Sequence, residues 1–213
     1  MIINKILIVL GEPNSTFSEI LFKYFNSNEF LKNKKKIILI GSMSLLKKQI
    51  KILKVKLINN FKIISNINDA QIKKINIINI NYNNKKNFSK ISFNSRKYIS
   101  NCFELALNLI KNNKETILIN GPISKKYFLK KKYLGITEYI SKKTNSKKHV
   151  MLIYNEKIAV SPLTTHLPLK YVTKNITKKK IVENVLEIKK FYENLLNKKP
   201  KIAILGLNPH CET

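Results

Sequence analysis

Short apolar runs alternate along this chain with longer stretches in which apolar residues recur every three or four positions. The runs Ile6–Leu10, Ile37–Ile40, Ile75–Ile80, Thr116–Ile119, Val150–Tyr154, Ile158–Ser161 and Ile202–Leu205 are mostly β-branched or leucine-rich, the pattern of strands covered on both faces. Between them the spacing predicts helices over Ser18–Phe25, Ser44–Leu53, Ser95–Lys111, Ile123–Lys130 and Lys178–Leu196. The last is the clearest. Ile181, Val185, Ile188, Tyr192 and Leu195 share one face, Thr177 can cap the start, and Pro200 follows the end. Asn81–Asn94 is polar and without period, and reads as a loop or linker. Strand–helix alternation of this kind predicts an α/β fold with a largely parallel sheet.

The chain has 213 residues, 44% of them hydrophobic, enough for one large α/β domain or two small ones. Its formal net charge is +29. That balance would normally point to nucleic acid or an anionic membrane. The make-up of the charge argues otherwise, because Arg96 is the one arginine among 41 basic residues. Arginine is the residue suited to bidentate phosphate and guanine contacts. The lysines are scattered among abundant Asn and Ile, the three residues that AT-rich codons specify together. A lysine-rich nucleic-acid-binding protein is therefore kept only as an alternative. The first apolar run is too short for a membrane span or a signal segment and is closed by Gly11-Glu12-Pro13, and no later run is long enough to cross a bilayer. Cys102 and Cys211 form no C-x-x-C pair, so neither a zinc ribbon nor a redox motif is predicted. Two free thiols suit a reducing cytoplasm.

Chemistry-bearing residues are few. Of three histidines, His149 precedes an apolar run and reads as surface. His166, in S-P-L-T-T-H-L-P-L, and His210, in G-L-N-P-H, each follow a predicted strand, where open α/β sheets build their sites. Imidazole is a neutral ligand for a divalent metal. Spacing alone does not join two histidines so far apart. In I-N-G-P-I-S-K-K-Y, a strand ends at Asn120, Gly121-Pro122 turns, and a helix start near Ile123 would offer free N–H groups to a phosphate or carboxylate, with Lys125 adding charge. An ordinary strand-to-helix turn reads equally well there. L-G-I-T-E-Y carries a helix start at Thr137-Glu138, alone only a capping pattern. G-E-P-N-S-T, after the first strand, lacks the G-x-G-x-x-G dinucleotide fingerprint.

Taken in order, Gly11-Glu12-Pro13, Gly121-Pro122 with Lys125, Gly135-x-Thr137-Glu138, Thr164-Thr165-His166-Leu167-Pro168-Leu169 and Gly206-Leu207-Asn208-Pro209-His210 resemble one family along the whole chain. It is 4-hydroxythreonine-4-phosphate dehydrogenase, the PdxA family of pyridoxal phosphate biosynthesis. The resemblance implies an isocitrate/isopropylmalate dehydrogenase-like α/β/α fold of two subdomains, with the site in the cleft of a homodimer. It implies oxidation of 4-phosphooxy-L-threonine with NAD or NADP, and loss of CO₂ to give 3-amino-2-oxopropyl phosphate, a step of vitamin B6 synthesis, in the cytoplasm. It implies a divalent metal (Zn, Mg or Co) held by His166, His210 and a third histidine from the other subunit, with Thr137 binding the small phosphorylated substrate. Gly121 and Lys125 are expected near the substrate or its phosphate on the helix-terminus argument.

Two departures change that picture. Ile136 stands where the family motif has a substrate-binding histidine, and it can neither donate a hydrogen bond nor carry charge. A paralogous dehydrogenase of another phosphorylated hydroxy acid, such as 4-phospho-erythronate, is therefore the alternative enzyme reading. Asn14-Ser15-Thr16-Phe17 replace the family's glycine-rich continuation. The resemblance further implies that family members continue well past G-L-N-P-H, so residues 1–213 are expected to be the N-terminal portion of such an enzyme, incomplete at the C-terminus and without turnover alone.

Overall fold

Five segments rich in Ile, Leu and Val pair into one sheet: Lys5–Val9 (β1), Lys36–Gly41 (β2), Phe61–Ile63 (β3), Ile75–Asn79 (β4) and Thr116–Asn120 (β5). Every pairing is parallel and the order is β3-β4-β2-β1-β5. The computed structural model describes residues 3–83, 87–130, 132–146, 148–165 and 167–207. Its contacts divide into two units, residues 2–144 with this sheet and residues 145–213.

Parallel strands need crossovers, and helices supply them except between β3 and β4, where the connection holds only the 3-10 turn Ile67–Asp69. The helices are Phe17–Phe25 (α1), Asn28–Lys32 (α2), Met43–Leu53 (α3) and Arg96–Lys111 (α4). Alternate residues of each strand face opposite sides, so the apolar runs seen in the sequence feed two cores. Ile38 and Ile40 of β2 join Leu7, Val9, Ile99 and Phe103 in the layer under α4. Ile37 and Leu39 join Phe22, Phe25, Phe30 and Leu46 in the layer under α1, α2 and α3. Serine caps set helix starts: the Ser42 hydroxyl accepts from Leu45 N–H at 3.3 Å at the head of α3, and Ser27 accepts from Phe30 N–H at 3.3 Å at the head of α2. A further helix, Ile136–Lys143 (α5), begins one residue before the Thr137-Glu138 start expected from the sequence.

Several expectations are corrected. The helix predicted over Ile123–Lys130 is one five-residue π-turn, Lys125–Leu129. Phe128 and Leu129 N–H both turn to the Ser124 carbonyl, at 2.9 and 3.4 Å, and Lys130 ends the turn in the left-handed region at φ 48°. β3 and α2 were not foreseen. β3 is three residues at the sheet edge with a lysine at its centre, and α2 is little more than one turn.

In the second unit, Lys178–Phe191 (α6) follows the predicted periodicity and runs into a π-turn, Tyr192–Leu196. Thr177 caps it, accepting from Lys180 N–H at 3.2 Å. Tyr154 packs against Phe191 and Tyr192, with ring centroids 6.1 and 6.2 Å away. The strands predicted over Val150–Tyr154 and Ile158–Ser161 reduce to a single antiparallel bridge, Ile153 with Val160. Ile202–Leu205 is extended in sequence character but pairs with no strand among the described residues, and Leu205 is 88% exposed. A strand is completed only by a neighbour's ladder. Among the described residues no helix is long and apolar enough to cross a membrane.

Candidate functional site

From β1 the chain moves to β2, and after β4 it returns to the opposite side of β1 to form β5. The strand order reverses between β1 and β5, and ligand crevices in open α/β sheets lie outside the carboxyl ends of such strands. Here the two loops close on each other. Gly121 N–H donates to the Val9 carbonyl at 2.7 Å and Glu12 N–H to the Pro122 carbonyl at 2.8 Å. Gly11 has φ +71°, which favours glycine, and a Cβ there would run into the Pro122 carbonyl oxygen. A Cβ on Gly121 would meet the Leu10 carbonyl oxygen. Both glycines are thus required by backbone approach.

Glu12 anchors the arrangement. It is 2% exposed, and its carboxylate accepts from Asn14 N–H at 3.2 Å and from the Ser95 hydroxyl at 2.9 Å. Ser95 leads into α4, and Asn14 Oδ1 accepts from Ser89 N–H at 3.1 Å. One buried carboxylate therefore joins the loop after β1 to the β4–α4 connection, while its backbone N–H holds the loop after β5. No ion pair among the described residues reaches it. Burial and the nearby Glu12 charge raise the Tyr82 phenol above its ordinary pKa. Tyr82 stacks on Tyr98, centroids 4.6 Å apart, and the Tyr98 oxygen accepts from Ser42 N–H at 2.9 Å. Burial pushes Tyr98 well above the usual phenol range and the Cys102 thiol up to about 12. This thiol is a packed core group and not a nucleophile.

The residues singled out in the sequence fall as follows. Gly121 is buried in the loop contact just described, and Lys125 is exposed at the start of the π-turn. The Tyr127 N–H is already taken by the Ser124 hydroxyl at 3.2 Å, so this short turn is a weaker anion cradle than the predicted helix. Thr137 is half-buried in the first turn of α5. Ile136 beside it packs against the apolar cluster under α4, which gives the isoleucine a packing role where the resemblance implies histidine. α5 and the π-turn are fixed by one aromatic group: Tyr139 lies 5.1 Å from Phe128, 5.5 Å from Phe103 and 5.3 Å from Tyr133, centroid to centroid. His149 is exposed. His166 and His210 lie outside the described residues, as does Cys211. Among the described residues no group of three His, Cys, Asp or Glu side chains is placed to hold a metal ion. Glu12 was visible in the sequence only as the middle of Gly-Glu-Pro. Its anchoring role depends on Ser95, 83 positions away.

The family model of the pyridoxal phosphate biosynthetic protein PdxA matches residues 33–213. The chain belongs to the PdxA family. It is 37% identical over 210 residues to a 4-hydroxythreonine-4-phosphate dehydrogenase of Sulfurihydrogenibium sp., covering 97% of this chain and 64% of that relative. It is 29% identical to a Fusobacterium nucleatum protein provisionally named D-threonate 4-phosphate dehydrogenase, over 97% of this chain and 63% of that one. Its fold is that of the crystallised 4-hydroxythreonine-4-phosphate dehydrogenase of Klebsiella pneumoniae, with a TM-score of 0.83 at 20% identity, over 97% of this chain and 65% of the other. The chain thus spans less than two thirds of the length of these PdxA relatives.

Proposed function

We propose that the protein acts in vitamin B6 synthesis as a 4-hydroxythreonine-4-phosphate dehydrogenase, oxidising 4-phosphooxy-L-threonine with NAD or NADP and releasing CO₂ to form 3-amino-2-oxopropyl phosphate. The match to the PdxA family over residues 33–213 carries this reading. The loops at the carboxyl ends of β1 and β5 support it, since their mutual hydrogen bonds give a rigid floor at the strand-order reversal. On that floor the exposed Lys125 ammonium attracts the substrate phosphate, and the Thr137 hydroxyl at the head of α5 hydrogen-bonds the substrate.

His166 and His210 would hold the divalent metal, Zn, Mg or Co. Two neutral imidazoles suit such an ion and leave its charge undiminished. When bound, a divalent ion supplies polarisation of a substrate oxygen, and the nicotinamide supplies hydride acceptance. A third histidine from the other subunit of a homodimer would complete the donor set, and the cytoplasm is the proposed compartment.

A second reading has one specific observation in its favour. Ile136 cannot make the polar contact of a histidine, and one relative carries a name for a different phosphorylated hydroxy acid. The test is NAD(P)H formation by the protein expressed from its full coding sequence, on 4-phosphooxy-L-threonine, D-threonate 4-phosphate and 4-phospho-erythronate in parallel. The proposal expects the highest kcat/KM on the first. Preference for either of the others would replace it with the paralogous dehydrogenase.

A further inference from the structure

Behind the Gly11-Glu12-Pro13 turn lies a small cavity. Glu12, Ser15, Ser18 and Gln49 form its polar lining, with Phe17 and Leu46 among the apolar residues. Ser18, in the first turn of α1, is 7% exposed, and its hydroxyl has no hydrogen-bond partner among the described residues. Gln49, on α3, is 2% exposed and donates from its side-chain amide to the Pro13 carbonyl at 2.8 Å. The cavity therefore sits where the β1 loop, α1 and α3 meet, with Glu12, Ser18 and Gln49 buried around it and Ser15 half-buried. A buried hydroxyl without a partner is unfavourable and uncommon in native folds.

Size and charge decide what fits. The space open to the centre of a water-sized sphere is about 10 Å³. That suits about one water molecule and is too small for a phosphate or a carboxylic acid. The Glu12 carboxylate already brings a negative charge to this place, so an anion would also be repelled. A monovalent cation is disfavoured from the other side. Both Glu12 oxygens are satisfied by donors, Asn14 N–H and the Ser95 hydroxyl, leaving the carboxylate no outstanding need for a counter-ion.

We propose that this cavity binds a single structural water, which hydrogen-bonds the Ser18 hydroxyl and ties the Gly11-Glu12-Pro13 turn to α1 and α3. The water needs two to four polar partners, and the lining offers them. None of the lining residues is among the proposed metal or substrate residues, so the proposal does not depend on their assignment.

The test is a crystal structure of the protein grown in a rubidium salt, with anomalous data, at a resolution that shows ordered waters. The expected result is one peak within hydrogen-bond distance of Ser18 Oγ that carries no anomalous signal. A cavity without a peak, or with the Ser18 side chain turned to a protein acceptor, overturns the proposal. So does an anomalous peak, which would make the occupant a cation. In crystals of Ser18→Ala the peak should disappear, and its persistence would remove Ser18 from the site.

Discussion

At Glu12 the donors Asn14 N–H and Ser95 O–H converge on a carboxylate that solvent barely reaches. Glu12→Ala takes away the acceptor of the half-buried Asn14 N–H and leaves the Ser95 hydroxyl only its longer bond to the Ser92 carbonyl at 3.3 Å. We expect a loss of about 1–3 kcal/mol in urea unfolding, the cost of roughly one orphaned group. Glu12→Gln, which can accept from one donor and give to the Ser95 oxygen, should lose much less. Equal losses would show that the charge and not the hydrogen bonding is what matters. Cys102 makes a pH prediction. Its thiol is held up at about 12 by burial, against an ordinary value of 9.0. Below pH 9 it is protonated in both folded and unfolded chains, so its contribution is flat. As pH rises from 9 towards 12 the unfolded thiol loses its proton first, and stability falls by up to about 1.4 kcal/mol per pH unit. Tyr98, raised by burial and facing Cys102, steepens the decline in the same direction. Cys102→Ala should flatten the slope over that window, read as unfolding free energy against pH. At this scale the sequence exposed Gly11 and Gly121 by their settings. It hid Glu12, because its partner Ser95 belongs to a connection far along the chain.

The element that fixes the candidate turn is the aromatic group on α4, the π-turn and α5. Phe128 is 5% exposed and stacks on Phe103 at 5.7 Å while meeting Tyr139 edge-on. Phe128→Ala should cost about 3–5 kcal/mol. Hydrogen exchange should then show α5 and the π-turn losing protection before β1, β2 and β4. If protection falls everywhere together, the turn is not a separately anchored element. The sheet's central strands were legible because β-branched runs buried on both faces have few other readings. α3, α4 and α6 were legible from their period. The segment after the Gly121-Pro122 turn reads as a helix in sequence, but only the π-turn Lys125–Leu129 forms, because Lys130 turns left-handed and ends it. The predicted strands after residue 145 failed for another reason. Ile153 and Val160 keep one bridge, and Ile202–Leu205 has apolar character without a ladder partner among the described residues. Propensity describes a segment, but pairing is a property of two.

For the whole molecule, fold class and family membership agree: a parallel α/β sheet of five strands, and a match to the PdxA family over residues 33–213. The net charge of +29 says little about function, since it comes from dispersed lysines and one arginine. The family was legible as a set of motifs in order, but the geometry of the candidate site was not. Its loop floor in residues 2–144 became visible only through hydrogen bonds between the β1 and β5 connections. The central claim is the enzymatic role, and growth is its most direct measurement. A bacterial strain lacking its own 4-hydroxythreonine-4-phosphate dehydrogenase would receive the full coding sequence and be grown without pyridoxine, beside a copy carrying His166→Ala and His210→Ala. We expect growth with the unaltered protein and none with the double variant, whose activity should fall by more than about a hundredfold once the two proposed metal ligands are gone. No growth with soluble, folded wild-type protein, or equal growth with the double variant, would contradict the account.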